Sequence, residues 1–378
     1  MTTVLMTLGR LPKALDLARG FSAAGCRVIV AEPFNWHLTG TSRSVARNIR
    51  VPAPADGKAA YLDALAGIVT REAVDIVVPV SEETMHVAFL RGRLPEHVRL
   101  FTMPPQQVLA LHDKGGFIAA GRAAGVCVPD TAALGSEAAR ALAASGGVVV
   151  KPVFTCSGRG LHILPQGADL PQADSANPAI VQRFIPGRVH SSCTLAHQGR
   201  ALATTIYRGT IMSGTVSAAF ERVDHPGITA WIDRFVAHVR WSGFISFDFI
   251  VDEAGAAHGI ECNPRATSGV HFWQPEAIAR AVLDPAGAPP VQFRPQAELQ
   301  QFYSCLTEIL PALFGGRDFV ARWRKLLTTR DVTWDWRDPL PFLTMIPTSW
   351  KIISMAARRG VSFGEVATLD VGWYEDPA

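Results

Sequence analysis

Near its start the chain alternates short apolar runs with longer stretches of helical spacing. Val4–Thr7 reads as a strand, Leu8–Pro12 as a loop, and Ala14–Ala24 as a helix closed by Gly25. Arg27–Ala31 returns as a strand, Ala59–Thr70 as a helix, and Asp75–Pro79 as a later strand. Strands alternating with helices predict a parallel sheet. This first β–α domain closes near the turn at Pro104 and Pro105, giving a boundary at residue 108.

From Leu109 the pattern changes. Lys114–Ala124 is helical, with Gly125 at its end and Pro129 beyond. A helix near Ser136–Ala144 precedes the strand Val148–Val150, and β segments follow at Ala179–Ile185, Ala201–Tyr207, Phe244–Val251 and Ala257–Cys262. Five of the nine tryptophans (Trp323, Trp334, Trp336, Trp350 and Trp373) fall after residue 300. That shift marks residues 301–378 as a C-terminal appendage.

Composition narrows the function classes. At 378 residues, 48% apolar and 18% charged, the chain holds enough core for two or three domains of roughly 150 residues and is not disordered. A net charge of +3 without a run of five like charges argues against a nucleic-acid partner. The six cysteines (Cys26, Cys127, Cys156, Cys193, Cys262, Cys305) show no CxxC pair or zinc spacing, and are expected to be buried free thiols in a reducing compartment. No secretory signal opens the sequence, and the longest apolar stretch, Phe342–Ala357, is broken by Pro347 and Lys351. A cytoplasmic protein that does not insert into membranes is expected.

Three segments carry chemistry. In GFISFDFIVDEAGAAHGIECN (residues 243–263), alternation puts Ser246, Asp248 and Ile250 on one face of a strand. The chain turns at Asp252–Gly255 and returns, placing Asp248 opposite Ile260 or Glu261, with Glu261 and Asn263 on one face. Two carboxylates and an amide oxygen converging in this way suit Mg²⁺, with Mn²⁺ as the alternative. In GVVVKPVFTCSGRGL, a buried strand delivers Lys151 ahead of a small-residue loop of Thr155, Cys156, Ser157, Gly158 and Gly160. Backbone N–H groups of such a loop can approach phosphate, although no Walker or GxGxxG signature is present. Upstream, Lys114 opens a helix whose N-terminus favours anions.

Taken in order, these segments resemble the ATP-grasp superfamily over Leu109–Gly269. "DK" before a helix, "VVVKP" before a glycine loop, "VQRFIPG", "FDFIVD" and "IECNPRATSG" all match. The resemblance implies an α/β protein: an N-terminal parallel-sheet domain (1–108), a two-lobed ATP-grasp fold (109–300, small lobe about 125–185) and the appendage (301–378). By resemblance, Lys114 and Lys151 contact the α- and β-phosphates of ATP, and the Thr155–Gly160 loop covers the γ-phosphate. Gln182, Arg183, Phe184 and Ile185 form the hinge at adenine. Asp248, Glu261 and Asn263 hold one or two Mg²⁺ ions, and Arg265 joins Lys151 in catalysis by steadying the transferring phosphoryl group. Family members often carry glutamates at the hinge and just after its glycine; here Gln182 and Val189 or His190 stand there, which puts ribose recognition in question.

The function implied is a ligase that activates a substrate carboxylate as its acyl phosphate and joins it to an amine. Partners would be small molecules, with a homodimer allowed. Arg208, Arg222, Ser268, His271 and Trp273 are candidates to line the acceptor pocket, while Cys156 lacks the paired histidine a nucleophile needs. The rival readings are a bicarbonate-using carboxylase or carbamoyl-phosphate-like enzyme, and a non-catalytic ATP-binding regulator.

Overall fold

The computed structural model describes residues 1–155, 160–213, 216–309, 319–360 and 366–373. The N-terminal domain runs β1 (Thr3–Met6), α1 (Pro12–Ala23), β2 (Arg27–Glu32), β3 (Arg47–Arg50), α2 (Lys58–Arg71), β4 (Ile76–Val78), α3 (Thr84–Val87) and β5 (Arg99–Leu100). Its strands form a parallel sheet in the order β3-β2-β1-β4-β5. All of β1 and β4 is buried, which is why both read as unbroken apolar runs. Pro12 starts α1 without wasting a donor. The chain passes from β1 out to β3 and then returns to β4, so the order reverses between β1 and β4.

Helices α4 (Pro105–His112) and α5 (Lys114–Ala123) lead into a small lobe of β6 (Thr131–Ala133), α6 (Glu137–Ser145), β7 (Val148–Pro152), β8 (His162–Leu164) and β9 (Ala179–Arg183). Its antiparallel sheet, β6-β9-β7-β8, packs against α6 through Ala139, Ala143, Val148, Val150 and Val181. The large lobe adds β10 (Arg188–His197), β11 (Arg200–Ser213), β12 (Val216–Arg222), α7 (Pro226–His238), β13 (Gly243–Val251), β14 (Ala257–Asn263), α8 (Pro275–Leu283) and β15 (Glu298–Gln300). After α9 (Phe302–Ile309) and α10 (Phe319–Thr328), β16 (Arg330–Asp331) completes a seven-stranded sheet, β14-β13-β10-β11-β12-β15-β16; α11 (Leu340–Leu343) and α12 (Met345–Arg359) follow. One face of that sheet seats Phe247 and Phe249 on Trp231 and Phe235 of α7. The other packs Cys193 and Leu195 into a core shared with α1, α8 and the N-terminal domain.

That shared core makes a close junction. A Cβ at Gly20 of α1 would sit 2.1 Å from the Pro275 carbonyl oxygen of α8, so only glycine allows the approach. Beside it Asp16, buried on α1, meets His271 at 2.6 Å and Arg294 at 2.7 Å. Residues of the C-terminal region pack back on the N-terminal domain. Asp370 reaches Arg10 at 2.6 Å, Asp338 meets Arg19 at 3.0 Å, and Trp373 stacks on Phe89 with centroids 5.7 Å apart.

The five described cysteines are free thiols. Cys193, Cys262 and Cys305 are buried as expected, but Cys127 is exposed and Cys26 half-buried. Among the described residues no helix is long and apolar enough to cross a membrane.

Candidate active site

The β13–β14 hairpin fixes the acidic part of the site. Asp248 pairs with Glu261 and Ser246 with Asn263, and the register slips between Asp248 and Phe249, leaving Phe249 opposite Gly259. This bulge sets Glu261, rather than Ile260, opposite Asp248 while keeping Phe249 on the α7 side. Like charges directly opposed in a sheet repel. Burial, and then the Glu261 charge, push the Asp248 carboxyl up to about 6, although the Ser191 hydroxyl donates to it at 2.6 Å. The Asn263 amide spans the gap, donating to Asp248 Oδ2 at 3.1 Å and accepting from Arg265 at 3.0 Å. Among the described residues no three His, Cys, Asp or Glu side chains gather as a protein-only metal cage. Two half-buried carboxylates that resist sharing negative charge, beside one amide oxygen, fit a hard divalent cation that draws its other ligands from water and phosphate.

Two lysines face these carboxylates. Lys114, the first residue of α5, donates to the Thr155 carbonyl at 2.9 Å and lies 3.7 Å from Glu261 Oε1. Its helix is capped by Asp113, which accepts from Gly116 N at 2.7 Å. Lys151 at the end of β7 donates to Gln182 Oε1 at 2.8 Å, and Gln182 donates onward to Thr131. Burial lowers the Lys151 pKa, while the charges of Glu261 and Asp248 support it. A neutral amide at 182 leaves the lysine charge unspent within its own lobe.

The hinge residues divide their tasks. Arg183 turns away to Ser145 at 2.6 Å, and the N–H groups of Arg183 and Phe184 are taken by the carbonyls of Asp130 and Gly147. Phe184 and Ile185 keep exposed or half-buried apolar surface there. Val189 is 60% exposed, whereas His190 turns to the opposite face against His225, so neither supplies a carboxylate for ribose. Gly160 adopts a φ of 68°. Cys156, Ser157 and Gly158 lie outside the described residues.

The N-terminal domain and the end of α4 contribute residues that the sequence did not point to. Glu82 follows β4 and pairs with Arg265, both largely buried. Arg265 thus touches Asn263 on one side and the other domain on the other. Glu83 braces the same loop, accepting from Val80 N, Ser81 N and the Thr7 hydroxyl. His112 sits within reach of Glu82, Lys114, Arg265 and Glu261; burial brings its pKa down to about 4, so it is neutral. Lys13 on α1 donates to the Ala266 carbonyl at 2.7 Å. The available signal for Glu82 and Glu83 was an acidic pair just beyond the buried run IVVP, after Val80 and Ser81, at the end of a parallel strand where such sheets place function.

The acceptor-pocket candidates fare differently. His271 is committed to Asp16, Trp273 is fully buried in the shared core, and Ser268 begins the turn that carries both. Arg208 pairs with Glu221 at 2.6 Å. Arg222 lies over Phe293 and lines a separate cavity of about 400 Å³ with Thr205, Asp224, His225 and Asp233. None of these residues belongs to the lysine–carboxylate cluster.

Two lobes closing on such a cluster, behind a parallel-sheet domain, define the ATP-grasp fold. Residues 112–269 match the family model for the ATP-grasp domain. No curated protein sequence matches the chain. Among solved structures it is similar to N5-carboxyaminoimidazole synthetase from Staphylococcus aureus complexed with ADP (13% identity, 77% of this chain and 80% of that one, TM-score 0.59). It is similar to L-amino acid ligase from Bacillus licheniformis (15% identity, 75% and 74%, TM-score 0.57). A third is the biotin carboxylase domain of Hydrogenobacter thermophilus 2-oxoglutarate carboxylase, in complex with MgADP, ADP and bicarbonate (13% identity, 74% and 69%, TM-score 0.57). At these identities the likeness concerns the fold.

Proposed function

We propose that the chain is an ATP- and Mg²⁺-dependent ligase that converts a small-molecule carboxylate to its acyl phosphate and joins it to an amine, releasing ADP and phosphate. The observation that carries this reading is the opposition of Lys114 and Lys151 to Asp248 and Glu261 across one cleft, with Arg265 beside Asn263. Cations on one wall and metal-binding oxygens on the other are what a triphosphate needs. Mg²⁺ bound at Asp248, Glu261 and Asn263 would supply charge neutralisation at the transferring phosphoryl group.

The protein's own part is positioning. Lys114 and Lys151 hold phosphate oxygens, Phe184 and Ile185 offer an apolar wall to adenine, and Arg265 stabilises charge that develops as the carboxylate attacks in line. Closure of the small lobe excludes water from an acyl phosphate that water would destroy.

The test is a screen of amino acids, small organic acids and bicarbonate for phosphate release, followed by transfer of ¹⁸O from the substrate carboxylate. Label in inorganic phosphate, with hydroxylamine trapping an acyl group, supports the reading. Label in AMP overturns it, and turnover with bicarbonate alone assigns the chain to carboxylation instead. ATP binding without turnover on any acid would favour a regulatory protein.

A further inference from the structure

Where the N-terminal domain meets the large lobe, a buried lysine feels two carboxylates, Glu82 and Glu83, but pairs directly with neither. Lys13 keeps 8% of its surface exposed, and its ammonium donates to the Ala266 carbonyl at 2.7 Å. Among the described residues it makes no ion pair, since Glu82 is held by Arg265 and Glu83 by Val80, Ser81 and Thr7. An ammonium has three donors, and one acceptor is in place. Burying such a group is unfavourable without compensation, and apolar side chains of similar volume usually serve stability better.

Its place in the fold shows what the compensation is. Lys13 follows the loop after β1, and Glu82 follows β4. These are the two strands between which the sheet order reverses, the crevice where open parallel sheets take ligands. Ala266, its one partner, is the residue after Arg265, so the ammonium and the guanidinium sit within electrostatic reach of each other. Glu82 is spent on the guanidinium and Glu83 on the Val80 and Ser81 N–H groups, so the Lys13 ammonium beside Arg265 keeps donors that an anionic group can take.

We propose that Lys13 is a substrate-binding residue which, with Arg265, holds the carboxylate that is to be phosphorylated. This rests on the acyl-phosphate reading of the same site. Lys13 neutralises the acid as it enters a dry crevice, and Arg265 then faces the oxygen that attacks.

The test uses the whole chain labelled with [ε-¹³C]lysine, which gives six signals (Lys13, Lys58, Lys114, Lys151, Lys325 and Lys351); loss of one in Lys13→Arg assigns it. Lys13 is titrated with acetate replacing chloride at constant ionic strength, and binding of Mg-ADP is measured on the same sample. Arg265, Glu82, Glu83 and Cys193 are the charged or titratable neighbours that the signal senses. Acetate is expected to raise the Lys13 midpoint saturably by about one pH unit, the mark of roughly tenfold tighter binding to the charged form, while Lys58, Lys325 and Lys351 stay put. If acetate leaves Lys13 unmoved while Mg-ADP binds, the inference is overturned and Lys13 is a strut between domains. If Lys13 responds and Mg-ADP does not bind, the anion site stands and the ligase reading falls. Failure of both removes both.

Discussion

At the scale of single residues the site is a set of charges that oppose one another until ligands arrive. Glu261→Gln removes the carboxylate facing Asp248 while keeping its shape. In the parent, Mg²⁺ should tighten ADP binding; in the variant that dependence should fall about tenfold or more, with the melting temperature preserved. Calorimetric titration with and without Mg²⁺ decides this, and an unchanged Mg²⁺ dependence would remove Glu261 from the metal site. Lys13 gives a second prediction, through its proton. Burial, and then Arg265, lower its pKa from 10.5 to about 7. Between those values the unfolded chain holds a proton that the folded protein has shed, so stability rises with pH across that window and the penalty is full below it. Lys13→Met should therefore be more stable than the parent by a few kcal/mol near pH 6, less the hydrogen bond to Ala266. The gap should close towards about pH 10. Urea denaturation at several pH values reads it directly, and a constant difference would refute the assignment. The residues legible in the sequence, from Lys114 to Arg265, were those whose separation within a strand or at a helix start fixes where they point. Lys13, Glu82 and His112 had no such local period. Lys13 and Glu82 join the site only because the chain passes back through the end of another domain, whereas His112 closes α4 just before Lys114.

At the scale of elements, contacts decide where propensity would mislead. Alanine is favoured over glycine in a helix by about 1 kcal/mol. Yet Gly20→Ala should destabilise the protein by about 1–3 kcal/mol, because the new methyl meets the Pro275 carbonyl oxygen of α8 at 2.1 Å. A urea midpoint at or above the parent's would mean that the α1–α8 contact yields. The strands flanking apolar runs were readable, since β7 and β13 carry Val148–Val150 and alternating phenylalanines. β10 was not, because Arg188–His197 is buried along most of its length on both faces and so shows no clean alternation. α7 repeats Ile228, Trp231, Ile232, Phe235 and Val236 at helical spacing, a period present in the sequence, though not among the helices expected from it. The bulge after Asp248 could only come from the structure; two alternatives for its partner were all that a hairpin of uncertain turn allowed.

At the scale of the whole molecule, residues after 300 belong to the sheet and to the N-terminal domain as much as to each other. β16 extends the large sheet, and Ala218 and Ala219 of the β12 strand share a core with Cys305 and Leu326. A tryptophan count marks a change of composition; it does not show which surface the tryptophans cover. Trp373 covers Phe89 and His86 and receives the Lys58 ammonium over its ring. Trp373→Ala should cost about 2–3 kcal/mol, lowering the melting temperature and quickening tryptic cleavage after Arg358 and Arg359. Calorimetry with limited trypsin digestion checks both, and an unchanged melting temperature would show the segment to be merely laid on the surface. The Arg10–Asp370 contact carries a further meaning for how the protein is made. Arg10 and Glu32 form their buried pair early in the chain, but the other side of the guanidinium meets Asp370 only across some 360 residues of sequence separation. On the ribosome the N-terminal domain therefore emerges with this latch open, and waits until the 360 residues that separate Arg10 from Asp370 have been translated. A nascent chain stalled before Asp370 should hold an N-terminal domain that breathes, and a chaperone would find its handle at Arg10, Phe34 and Phe89.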